Sequence, residues 1–265
     1  MITPILAVAL AAAPLPAPLK GTGPWTVEFA ETLCGLGKTY ETPAGPVMLA
    51  VKAPLVGRDY GIFVVRSGGA ATVATWHEAF IIKPGGAKVG PFPLQTFTSV
   101  SKRRVARFSV DAEKYALAED GSTLTLNLGP EGIFSFAVPN MPKALETLED
   151  CTKGLRKAFG IDQQVIDRVA VQPKSSGLTF QANDYPEDAL RQGLQGTVGV
   201  MAFVGTDGRV TDCKVIETSG SPSLDRQTCA VLERRARYKP ALDAQGTKLR
   251  APIYWRTRWV LPDRA

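Results

Sequence analysis

Through the first half of the chain, apolar residues come in short runs or alternate with polar ones. After residue 140 they recur at helical spacing. Residues 47–51 (VMLAV), 60–65 (YGIFVV) and 105–110 (VARFSV) read as strands. Residues 122–128 alternate cleanly, with Leu124, Leu126 and Leu128 on one face. Gly129-Pro130-Glu131 then separates them from 132–138, which predicts a hairpin. Beyond it, Leu145, Leu148, Thr152, Leu155 and Phe159 lie on one side of a helix. Asn140 can cap that helix, Pro142 sits in its first turn, and Gly160 stops it. Uninterrupted strands followed by a helix predict an α+β fold with mainly antiparallel pairing: a β-rich domain over 22–165, closed by the helix.

A polar stretch with Pro, Ser and Gly (172–184) reads as a short linker, placed at 166–182 between the domains. A second pattern occupies 183–265. Asp184 can cap a short helix with Pro186 in its first turn, and Gly193 and Gly196 break it. Residues 196–204 form a strand, with Val198, Val200, Ala202 and Val204 on one face and Met201 and Phe203 on the other. The Asp207-Gly208 turn leads into a return strand over 210–217. A helix follows over about 223–237, burying Leu224, Cys229, Leu232 and Ala236, and a long aromatic strand runs over 249–261. The helix crosses back, so the last strand runs parallel to the second. In an antiparallel sheet it can pair only with the first. The predicted order is second–first–third, with the third strand on an edge.

A free edge of this kind captures extended peptides by adding a strand. Pro252, Arg250, Arg256 and Arg258 blunt the edge and equally restrict what it accepts. The plain alternative is the third strand of a small sheet, and physics alone leaves the two even.

The four cysteines, Cys34, Cys151, Cys213 and Cys229, include no CxxC spacing and so point away from zinc or thioredoxin-like chemistry. They allow three pairings. Cys34–Cys151 with Cys213–Cys229 is the one that respects the domain boundary, and four free thiols are the alternative. Residues 5–13 are apolar and followed at once by Pro14, Pro16 and Pro18, so 1–19 reads as a signal peptide or short anchor. No basic residue precedes the apolar run.

The net charge of +6 is spread along the chain, apart from Lys102-Arg103-Arg104 and Arg234-Arg235-Arg237-Lys239. Solvated surface is the ordinary reading of both clusters. A nucleic-acid face would need a denser patch with stacking aromatics, so no nucleic-acid partner is expected. The single histidine, His77, rules out sites needing two. No metal site, cofactor or catalytic residue is assigned.

The module over 183–262 resembles the C-terminal domain of TonB, the periplasmic energy transducer. The residues that carry the resemblance are Tyr185-Pro186, Gly193-x-x-Gly196-x-Val198-x-Val200, Thr206-Asp207-Gly208-Arg209-Val210, Ser219-Gly220 and Leu224-Asp225. They continue with Arg234 to Ala241 (RRARYKPA) and the last strand. The resemblance implies a three-stranded sheet with two helices that binds a segment of an outer-membrane receptor by strand addition. Its contact residues would be Arg250, Ala251, Pro252, Ile253, Tyr254, Trp255, Arg256 and Arg258, with Asp184 and Tyr185 in the segment just before its first helix. Family transducers carry a membrane anchor and a long Pro-rich spacer, and here a folded domain replaces the spacer. The expectation is therefore an exported, non-enzymatic periplasmic protein that binds a partner, such as a TonB-dependent receptor. The alternatives are an anchored energy transducer, an enzyme with its site in the N-terminal domain, and a homodimer through the edge strand.

Overall fold

The computed structural model describes residues 14–30, 33–99, 101–111, 123–178 and 180–261. The apolar run at 5–13 lies outside them. The protein is mostly β, with strands β1 (Gly21–Ala30), β2 (Leu33–Tyr40), β3 (Val47–Lys52), β4 (Asp59–Ser67), β5 (Thr75–Ile82), β6 (Lys88–Thr98), β7 (Arg103–Asp111), β8 (Thr123–Asn127) and β9 (Ile133–Ala137) in one sheet. Their order is β1-β2-β3-β4-β7-β6-β5-β8-β9. The sheet nearly closes on itself. Leu19, just before β1, bridges Phe136 of β9, its N–H donating to Ser135 (2.8 Å) and its carbonyl accepting from Ala137 (2.9 Å). Closure leaves little exposed strand edge.

Compact contacts divide the chain into two units. One takes the described residues up to Thr26, Leu36–Val51 and Tyr60–Leu145. The other takes Val27–Gly35, Lys52–Asp59 and those from Glu146 onward.

In the first unit the alternation seen in the sequence becomes an interior. Leu36, Tyr40, Leu49, Ile62, Leu94, Leu124, Leu126 and Phe136 are buried, with Tyr40 packed on Phe136 at 4.8 Å between ring centroids. One carboxylate in the turn between β8 and β9 is also shielded from solvent. The Glu131 side chain is only 4% exposed and pairs with Arg66 (2.5 Å) and Arg104 (Nε, 3.0 Å). Burial is the largest single influence and works to raise its pKa. The hydrogen bonds and charges of Arg104 and Arg66 outweigh it and hold the carboxyl below the usual carboxylate range. The unfolded chain therefore takes up this proton first as pH falls. The stability that Glu131 contributes is complete above about pH 4.3 and is lost below it, as pH falls through the lowered folded value. Glu131→Gln is expected to flatten the acid limb of the melting profile. Equal acid slopes for variant and parent would remove this role from Glu131.

The second unit contains the helices. The first of them, α1 (Met141–Ala158), begins among residues of the first unit, and its part from Glu146 on belongs here. α2 spans Gln163–Arg168, α3 Glu187–Gln192 and α4 Pro222–Arg235. Strands β10 (Lys174–Ser175), β11 (Gly196–Val204), β12 (Val210–Glu217), β13 (Tyr238–Lys239), β14 (Ala241–Leu242), β15 (Lys248–Leu249) and β16 (Ala251–Trp259) complete it. The three-stranded sheet has the order β12-β11-β16, antiparallel throughout. One face packs Val198, Val200, Ala202 and Val204 against Leu224 and Leu232 of α4. On the other face Met201 and Phe203 pack with Ile161, and Val56, Phe159 and Ile166 cover them.

Disulfides Cys34–Cys151 and Cys213–Cys229 are both formed within this unit. The first joins the start of β2 to α1, and the second joins β12 to α4. Within 166–182, Val169 is buried, Val171 exchanges backbone hydrogen bonds with Leu242, and Ser175 faces Tyr238. Among the described residues no helix is long and apolar enough to cross a membrane.

Three local expectations are corrected. Asp184 does not cap α3, whose N-cap is Pro186 without a side-chain bond. The Asp184 carboxylate instead accepts from the Gln181 N–H (2.7 Å) and from Arg235. The long helix stops at Arg235, because Tyr238 turns to donate its N–H to Gly208 (3.0 Å) and pairs as a strand. The last strand is broken at Arg250: Lys248–Leu249 pairs with β14, and only Ala251–Trp259 pairs with β11.

Candidate functional site: the edge of the last strand

Alternation along β16 sets what the site presents. Ile253, Trp255 and Trp259 turn toward α4 and the core. Tyr254, Arg256 and Arg258 are exposed on the opposite face. One edge of β16 is paired along its length, from Gly196↔Trp259 to Val204↔Ala251. The other edge carries no strand among the described residues. Pro252 lacks an N–H, and proline belongs on such an edge.

Beside residues 252–255 lies a cavity of about 470 Å³, lined also by Val56, Gly57, Gln172, Pro173, Ser175 and Tyr238. All of these residues belong to the second unit. Arg156, itself buried, holds the Val56 wall in place. Its guanidinium donates to the carbonyls of Pro54 (2.8 Å) and Leu55 (3.2 Å) and to Glu149 (2.7 Å) and Gln163 (2.9 Å). The Trp255 Nε1–H is buried with no acceptor among the described residues.

Two of the arginines are already engaged. Arg256 makes a two-pronged contact with Glu217 (Nε 3.0 Å, Nη2 2.8 Å), and the Tyr254 hydroxyl donates to the same carboxylate at 3.3 Å. Hydrogen bonding by Arg256 is the main reason the Glu217 carboxyl lies below its ordinary range. Gly199 on β11 makes room for this cluster, since a Cβ there would lie 2.8 Å from Glu217 Cβ and 3.0 Å from the Tyr254 hydroxyl. Arg250 pairs with Asp212 (2.6 Å) and stacks 3.8 Å from the centre of the Phe203 ring. Asp212 reaches it from a bulge in β12, at a φ of 53°.

The residues named from the sequence therefore divide. Ala251, Pro252 and Ile253 are buried, Trp255 is half-buried, and Tyr254 and Arg258 stand exposed. Asp184 and Tyr185 are buried away from solvent: the first is tied to Arg235, and the second donates its hydroxyl to Leu194 (2.5 Å) and packs edge-on to Trp259. Sequence reading missed Glu217 and the walls at Val56, Gly57, Gln172 and Pro173. Gly199, a glycine inside an otherwise bulky strand, was the one local sign of close packing across that face.

Among the described residues no group of His, Cys, Asp or Glu is arranged to hold a metal ion. No curated protein matches the chain. Residues 181–261 match the family described as Gram-negative bacterial TonB protein C-terminal, so the last third of the chain is a TonB-like C-terminal domain, of a kind that serves protein interaction and transduction at the cell envelope.

Proposed function

We propose that this is a periplasmic, non-enzymatic binding protein whose TonB-like domain captures an extended segment of a partner along β16. A TonB-dependent outer-membrane receptor is the partner that the family implies. The observation that carries this reading is the edge of β16 that has no neighbouring strand among the described residues and lies beside the cavity. Main-chain groups along the edge would supply affinity. Tyr254, Trp255, Arg258 and the cavity would meet alternate side chains of the captured segment. Two disulfides suit an oxidising compartment such as the periplasm.

Ile253→Pro would not isolate the ladder, because Ile253 is a core residue. The test instead alters the ligand. A photo-crosslinker at position 258 identifies the contacting segment in envelope extract. Synthetic copies of that segment are then N-methylated one amide at a time. Strand addition predicts that every second methyl group weakens binding by about tenfold or more, while the intervening ones have little effect. A flat response along the peptide would rule strand addition out.

A further inference from the structure

The β10–β13 ladder, whose Ser175 and Tyr238 line the cavity beside β16, carries an unusual charge arrangement on its other face. Lys174 of β10 lies directly opposite Lys239 of β13, and Arg209 lies directly opposite Arg237. Directly opposed residues share a face, as do residues two apart on a strand. All four cations therefore stand on one face of this small ladder, while Tyr238 turns inward between Arg237 and Lys239. The burial pattern agrees: the four cations are exposed and Tyr238 is buried. Among the described residues the carboxylate recorded against them is Asp207, at 3.7 Å from Arg209. Like charges directly opposite each other are destabilising, and two such pairs adjoin here. Arg237 is also held in place, its Nη1 donating to the carbonyls of Ala236 (2.7 Å) and Arg234 (3.3 Å).

We propose that Lys174, Arg209, Arg237 and Lys239 form a docking face for an acidic, extended protein segment with carboxylates at alternate residues. The spacing supports this ligand. Residues 237 and 239 are two apart on a strand, about 6.7 Å, which is also the separation of alternate side chains on an extended peptide. Charge complementarity would relieve the repulsion built into the face. The described ladder offers no exposed ring for stacking bases. Lys174 lies outside the family-matched span, so one corner of the face belongs to this chain rather than to the TonB-like domain.

The test uses the full chain and a labelled peptide of alternating glutamate and serine, with a glutamine-for-glutamate control. The glutamate peptide is expected to bind at low salt, and the Lys174→Gln/Lys239→Gln double variant to bind it about tenfold more weakly. Lys174→Arg/Lys239→Arg is expected to retain binding. The glutamine pair should also raise the melting temperature, by about 1–3 °C, because it removes repulsion. Equal binding of the glutamine peptide, unchanged affinity in the double variant, or an unraised melting temperature would overturn the proposal. So would lysine-dependent binding to phosphatidylglycerol vesicles in preference to the peptide, which would assign the face to lipid.

Discussion

Removing the Cys34–Cys151 bond, by serine at both positions, is expected to lower the unfolding free energy by about 5 kcal/mol. The bond closes a loop spanning 117 residues, and the cost of loop closure in the unfolded chain grows with loop length. The Cys213–Cys229 bond spans only 16 residues, so the same argument gives about 3 kcal/mol for its loss. Sulfur burial does not reverse the order. Cys34 is buried and would lose packing as well, whereas both Cys213 and Cys229 are half-buried. Denaturant titration of the two double-serine variants measures the difference. A larger loss from the shorter loop would show that native-state packing, rather than chain entropy, governs these bonds.

Trp259→Ala should cost about 4 kcal/mol and loosen the end of β16. Trp259 is 5% exposed, and its Nε1–H donates to the buried Thr228 hydroxyl at 2.9 Å. The rings of Phe180 and Tyr185 meet it edge-on, at 5.3 and 5.2 Å between centroids. This one side chain thus ties the last strand to α4 and to the segment that leads into the domain. Trp259→Phe keeps most of the ring packing and loses one hydrogen bond. Thr228 still donates to the Leu224 carbonyl (2.9 Å), so its hydroxyl is not left without a partner. That variant should cost about 1–2 kcal/mol. Equal losses for the two substitutions would place the stabilisation in the hydrogen bond rather than the ring. Because Trp259 faces Gly196 across the ladder, the alanine variant should also lose binding at the adjoining edge.

What the sequence revealed was local. Alternation exposed the 123–137 hairpin, and the Asp-Gly turn exposed the β11–β12 hairpin. The direction of the last strand after the helix crosses back then gave its neighbour. What it concealed depends on partners far away along the chain. Leu19 carries no sign that it will bridge Phe136. The polar stretch before residue 184 looks like a tether, yet Val169 is buried with Ala241, Leu249 and Ala251. Asp184 has the composition of a helix cap, but an arginine 51 residues later takes its carboxylate. Of the candidate site, the strand was legible. The cavity beside it was not, because Val56 and Pro173 reach it from separate parts of the chain.

The far face of the small sheet bears on where this domain begins. Met201 and Phe203 are covered by Val56, Phe159, Ile161 and Ile166, which all precede the family-matched span, and by Ile216 within it. The segment with a recognisable ancestry is thus shorter than the segment that can keep itself dry. Cut out at its family limits and moved to another protein, it would arrive with one side unfinished and would need a new cover there. In this chain the module and the residues that cover that side belong to one compact unit, so a transplanted module would need those residues, or substitutes for them, beside it.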